Sequence, residues 1–95
     1  MRVLVSSVGA PLDAQLRTYA EYRIFSTLAT HDNVAGARVE LRSENDTVQC
    51  HVRVTLAPRG SVQARASAAH PAAAVDRAAE QLAALIDEQR PAISS

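Results

Sequence analysis

The chain has 95 residues, 47% of them hydrophobic but only 3% aromatic, which suits one small domain with an aliphatic, alanine-rich core. Ten acidic residues balance ten basic ones, all of them arginine, so the net charge is zero; blanket attraction to nucleic acid or membrane is excluded, and a local patch is not. A lone cysteine, Cys50, excludes an internal disulfide.

Residues 2–7, opening with Val3-Leu4-Val5, read as a first strand with Val3 and Val5 inward. The segment Met1 to Ala10 is too short and too interrupted by serine and glycine for a signal peptide, and no run approaches transmembrane length, so a cytoplasmic location is expected. Gly9-Ala10-Pro11 breaks the strand. Pro11 suits the approach to a helix, and Asp13 suits the positive end of its dipole. From Leu12 to about Thr30 the period becomes helical: Leu16, Ala20, Ile24 and Thr27 form one stripe flanked by Leu12, Tyr19 and Leu28, while Tyr22 and Phe25 point away from it. His31-Asp32-Asn33 supplies polar stop residues.

Three runs of period two follow. Ala37, Val39 and Leu41 alternate with Arg38, Glu40 and Arg42. Val48, Cys50, Val52, Val54 and Leu56 alternate with Gln49, His51, Arg53 and Thr55. Val62, Ala64, Ala66 and Ala68 alternate with Gln63, Arg65 and Ser67. Such alternation buries one set and leaves the other in water. The turn formers Ser43-Glu44-Asn45-Asp46 and Ala57-Pro58-Arg59-Gly60 separate the runs. The stretch is an antiparallel meander with one apolar and one arginine-bearing face. Pro71 then starts a second helix through about Gln89, with Ala72, Val75, Ala79, Leu82 and Ile86 on one face and Pro91 ending it.

The order β-α-β-β-β-α predicts an α+β fold: a four-stranded mixed sheet with both helices packed on one face and the other face open to solvent. If the first two strands pair in parallel, their crossover is right-handed. Residues 1–90 form one domain, and residues 91–95 a flexible tail.

No reaction centre assembles. The three glycines are scattered, so no phosphate loop exists; Ser6 and Ser7 lack a glycine-flanked elbow; His31, His51 and His70 share no metal-ligand spacing. Cys50 falls on the inward side of its strand, as a small buried hydrophobe does. No enzyme activity, cofactor, metal or small-molecule substrate is expected.

Two surfaces could bind a partner. On the open sheet face, Arg38 and Arg42 are about 13 Å apart along one strand, and Arg53 and Arg65 occupy adjacent strands. Guanidinium groups match phosphate oxygens bidentately and stack on bases, although Glu40 between two of them also fits an ordinary solvated face. On the helical side, Arg17 and Arg23 border the first apolar stripe, with Tyr22 and Phe25 beside them. These aromatics could stack on nucleobases, form a protein contact, or lie under a tail or loop.

The element order and lengths over about residues 1–90 resemble the ribosome hibernation-promoting factors, also called ribosome-associated inhibitor or sigma-54 modulation proteins. Leu16-Arg17-Thr18-Tyr19-Ala20 resembles the family's first-helix start, and Asp32 matches an aspartate common before the second strand. Cys50-His51-Val52-Arg53-Val54 with Pro58-Arg59-Gly60 and Val62 is similar to the third strand and hairpin of a divergent branch. Ala73-Ala74-Val75-Asp76-Arg77-Ala78-Ala79 resembles the second-helix segment. The resemblance implies a cytoplasmic protein, made for stress or idleness, that binds the small ribosomal subunit and its 16S rRNA near the decoding region and inhibits translation. It also implies that Arg17, Arg23 and Arg90 match basic positions that contact rRNA. This chain departs from the pattern in its second helix. His70-Pro71-Ala72 stands where aspartate, an apolar residue and tyrosine are usual, and Gln81, Ala84 and Glu88 replace lysine or arginine. Each lost cation weakens phosphate binding. The alternative is a protein-interaction or self-association module, such as a homodimer, that keeps the fold without rRNA affinity.

Overall fold

Period-two alternation and helical periodicity resolve into six elements in the computed structural model, which describes residues 1–9 and 11–88. They are β1 (Arg2–Val8), α1 (Ala14–Leu28), β2 (Val34–Glu44), β3 (Thr47–Leu56), β4 (Ser61–Ala68) and α2 (Pro71–Glu88). The sheet order is β1-β2-β3-β4. β1 runs parallel to β2, and the other two pairings are antiparallel. This is the expected mixed sheet. Arg90 and the tail lie outside the described residues.

The inward residues of every strand bury beneath the helices. Val5, Ala37, Val39, Leu41, Val48, Cys50, Val52, Val54, Val62, Ala64 and Ala68 meet Ala20, Ile24 and Leu28 of α1 and Val75, Ala79, Leu82 and Ile86 of α2 in one cluster. α2 lies over β4 and β3, and α1 lies against α2 and β1. No polar or charged residue is buried among the described residues.

Element ends follow local chemistry. Asp13 is the N-cap of α1, its carboxylate accepting from the Leu16 N–H at 2.7 Å; the sequence had suggested only a dipole role. α1 therefore begins at Ala14 rather than Leu12, because the capping geometry fixes its first turn. β2 extends beyond the alternating run in both directions. At its start a register shift between Val34 and Gly36 lets Val34 pair with Leu56, which the period-two pattern conceals. At its end Ser43 and Glu44 still pair with β3, leaving only Asn45-Asp46 as the turn. Asn45 adopts φ 56° there, a conformation asparagine tolerates. The β3–β4 connection closes with the Leu56 N–H donating to the Gly60 carbonyl at 2.9 Å. In α2, Ala72 is exposed, whereas Ala74 and Ala78 are buried. The small alanines on that flank let the helix sit low over the sheet, a width of face that a narrow stripe misses.

Candidate nucleic-acid interface

The face of the sheet opposite the helices is uncovered, and register orders its side chains into rows. Leu4, Arg38, Arg53 and Gln63 form one row. Ser6, Glu40, His51 and Arg65 form the next, followed by Val8, Arg42, Gln49 and Ser67. Arg38 thus stands directly opposite Arg53, whereas Arg53 and Arg65 are diagonal neighbours rather than a pair. Like charges placed opposite each other destabilise a ladder, so nothing in folding itself calls for this pair. Arg42 reaches Glu40 at 3.5 Å, and His51 Nε2 lies 2.8 Å from Gln63 Oε1.

Arg2, at the start of β1, joins this face and lines a shallow depression with Arg38 and Arg53. Sequence reading left it out of the candidate arginines, although Val3 and Val5 inward already put Arg2 on the opposite side of the strand; what the sequence could not show is that β1 pairs with β2 and sets Arg2 beside Gly36. In all, five arginines (2, 38, 42, 53 and 65) share the open face with two carboxylates, Glu40 and Glu44, among the described residues.

The helical side is organised differently. Arg17 donates to the Val5 carbonyl at 3.4 Å, saturating an edge acceptor of β1. Arg23 is 3.2 Å from Asp76 and also bonds Thr27. The Tyr19 hydroxyl donates to the same Asp76 oxygen, and that hydrogen bond, with burial secondary, raises the Tyr19 phenol above its usual range. Asp76 therefore clasps α2 to α1. Gln81 accepts from the Arg65 N–H at 2.8 Å, and Arg77 donates to the Ser67 carbonyl at 2.9 Å. Both sheet edges are thus capped by helix side chains, which blunts strand-to-strand aggregation. Arg17, Arg23 and Arg77 are outnumbered on this side by Asp13, Glu21, Asp76, Glu80 and Asp87 among the described residues. Tyr22 and Phe25 stand out from it, 68% and 48% exposed.

A family model described as sigma 54 modulation protein / S30EA ribosomal protein matches residues 3–91. The chain belongs to this family. The resemblance read from the sequence is borne out, and membership places this S30EA-family chain among ribosome-associated factors rather than in an enzyme family. Two solved structures share its fold. The N-terminal domain of Protein Y from Thermus thermophilus superposes with a TM-score of 0.83 at 23% identity, covering 95% of this chain and 100% of that one. A ribosomal subunit interface protein from Coxiella burnetii gives a TM-score of 0.83 at 17% identity, covering 94% and 98%. No curated protein matches the chain significantly.

Within this S30EA-family chain the sequence-chosen arginines divide. Arg38, Arg42, Arg53 and Arg65 fall together on the open face; Arg17 and Arg23 are engaged in bonds within the molecule; Arg90 lies outside the described residues. Cys50 is fully buried and its thiol is pushed up to about 12 by burial. Among the described residues no group of His, Cys, Asp or Glu could hold a metal, and no helix is long and apolar enough to cross a membrane.

Proposed function

We propose that this cytoplasmic protein binds the small ribosomal subunit near the decoding region, contacts 16S rRNA through its open sheet face, and holds idle ribosomes inactive by excluding messenger and transfer RNA. Family membership supports the ribosomal partner. The observation that carries the choice of surface is the segregation of charge: five arginines face two glutamates on the uncovered sheet, while the helical side is net acidic. Phosphate contacts supply affinity through counterion release, and arginines already bonded to Asp76 or to Val5 contribute little to it.

Cosedimentation with small subunits over a salt series tests this. Five phosphate contacts predict an affinity falling roughly one-hundredfold to five-hundredfold between about 50 and 200 mM salt, the lower figure for single-stranded and the higher for duplex RNA, together with loss of cell-free translation on adding the protein. Absence of binding even at the lowest salt would overturn the reading.

One observation favours a second reading. Tyr22 lines a shallow, largely apolar groove with Ala14, Gln15, Thr18 and Tyr19, and Phe25 is exposed nearby, so α1 has the makings of a protein contact or homodimer surface. Sedimentation showing a monomer across micromolar concentrations, unchanged by Phe25→Ser, would remove the self-association form.

A further inference from the structure

The arginine rows are not uniform. At one end of the open face, Arg2, Arg38 and Arg53 surround a depression of about 410 Å³ that also includes Leu4, Gly36 and Thr55. Three features set it apart from the rest of the face. Gly36 lies between Arg2 and Thr55 in the register, so the floor there is bare backbone. A Cβ at Gly36 would stand 3.2 Å from the Arg2 carbonyl oxygen, which shows how closely the strands approach under the depression. No carboxylate lines it among the described residues. Glu40, on the neighbouring row, is held by Arg42 at 3.5 Å. The arginine charges are therefore concentrated without a counter-charge, and two of them are set directly opposite each other in the ladder.

We infer that this depression is a binding site for a densely charged phosphate group, a phosphomonoester or diphosphate carrying two or more negative charges. A phosphodiester of an RNA backbone carries a single charge and leaves most of the repulsion among three guanidiniums in place. A dianion offsets it, and its several oxygens can accept from more than one planar fork at once. The Thr55 hydroxyl supplies a neutral donor at the rim, and Leu4 provides an apolar wall for a sugar or base attached to the phosphate. The chemistry fits either the 5′-terminal phosphate of an RNA strand or the diphosphate of a free nucleotide. The inference rests on the open face being the basic surface in the proposed function, but it needs no ribosome.

The test uses the whole chain and inorganic pyrophosphate, followed by calorimetry and by the NMR resonances of the arginine side chains at about 50 mM salt. Saturable binding is expected, with shifts concentrated at Arg2, Arg38, Arg53 and the amides of Gly36 and Thr55. Arg53→Gln should weaken binding by about tenfold or more, as loss of a charge-assisted hydrogen bond does. Arg65→Gln, on the same face but outside the depression, should change it by less than about threefold. Comparable shifts and losses at Arg42 and Arg65 would overturn the site by showing diffuse attraction, as would no saturation at about 10 mM pyrophosphate. A short RNA with a 5′ phosphate binding more tightly than its 5′-hydroxyl twin would assign the site to an RNA end. Equal binding of the two RNAs beside tight pyrophosphate binding would assign it to a free nucleotide. Pyrophosphate binding by a protein that ignores small subunits would keep this site and reject the ribosomal reading.

Discussion

Replacing Arg53 with glutamate should make the fold more stable while weakening its attraction to RNA. The register sets Arg53 directly opposite Arg38, with neutral Gln63 on its other side. Two exposed guanidiniums about 7 Å apart in a water-like dielectric repel by about 0.6 kcal/mol, and salt near 0.1 M roughly halves this. Reversing one charge removes that repulsion and substitutes an attraction of similar size, a total of about 0.6 kcal/mol, within the span measured for cross-strand pairs. For a domain of this length the melting temperature should rise by about 2–5 °C. Arg53→Gln should show about half the gain. Thermal melts followed by circular dichroism at low salt and at about 1 M salt provide the assay, and the gain should nearly vanish at high salt, where the screening length is about 3 Å. The same variant should bind small subunits more weakly. An Arg53→Glu protein that melts lower than wild type at low salt would refute the reasoning, because it would mean that Arg53 serves the fold.

Two further outcomes follow from the interior. Leu82 is completely buried where α2 meets the sheet, and Leu82→Ala should cost about 3 kcal/mol, a large share of a small domain's stability, read as a marked drop in the denaturant midpoint. The Cys50 thiol should resist thiol reagents until the chain unfolds. With its folded value about 12 against an ordinary 9.0, its contribution is fully present below pH 9. It is then lost as pH rises toward 12, because only the unfolded chain releases the proton in that window; Cys50→Ala should flatten that part of the stability profile.

Much of the fold was legible because alternation and helical period each point to one buried face. The meander's inward residues are those that Val39, Val52 and Val62 announce. What the pattern hid was local. The register shift at Val34 and Gly36 adds a residue that breaks alternation, and the burial of Ala74 and Ala78 rather than Ala72 depends on how low α2 sits. The candidate surface was only partly readable. Arg38, Arg42, Arg53 and Arg65 share a parity, so their common face could be read from spacing. Which of them stand opposite each other could not, since a register is a relation between strands. Arg17 and Arg23 look free in a helical wheel, but the Val5 carbonyl and Asp76 reach them across 12 and 53 positions of chain. The side on which Arg2 stands followed from Val3 and Val5, but its place beside Gly36 and near Arg38 and Arg53 depends on the β1–β2 register.

The central claim is that the uncovered sheet, not the helical side, meets RNA, and paired charge reversals test it most directly. Small-subunit affinity would be measured for Arg42→Glu/Arg65→Glu and, separately, for Glu80→Arg/Asp87→Arg on α2. The sheet variant should lose binding by about a hundredfold or more at low salt, while the helix variant should stay within about threefold of wild type. Retained binding by the sheet variant, with a large gain in the helix variant, would place the RNA on the opposite side and contradict the account.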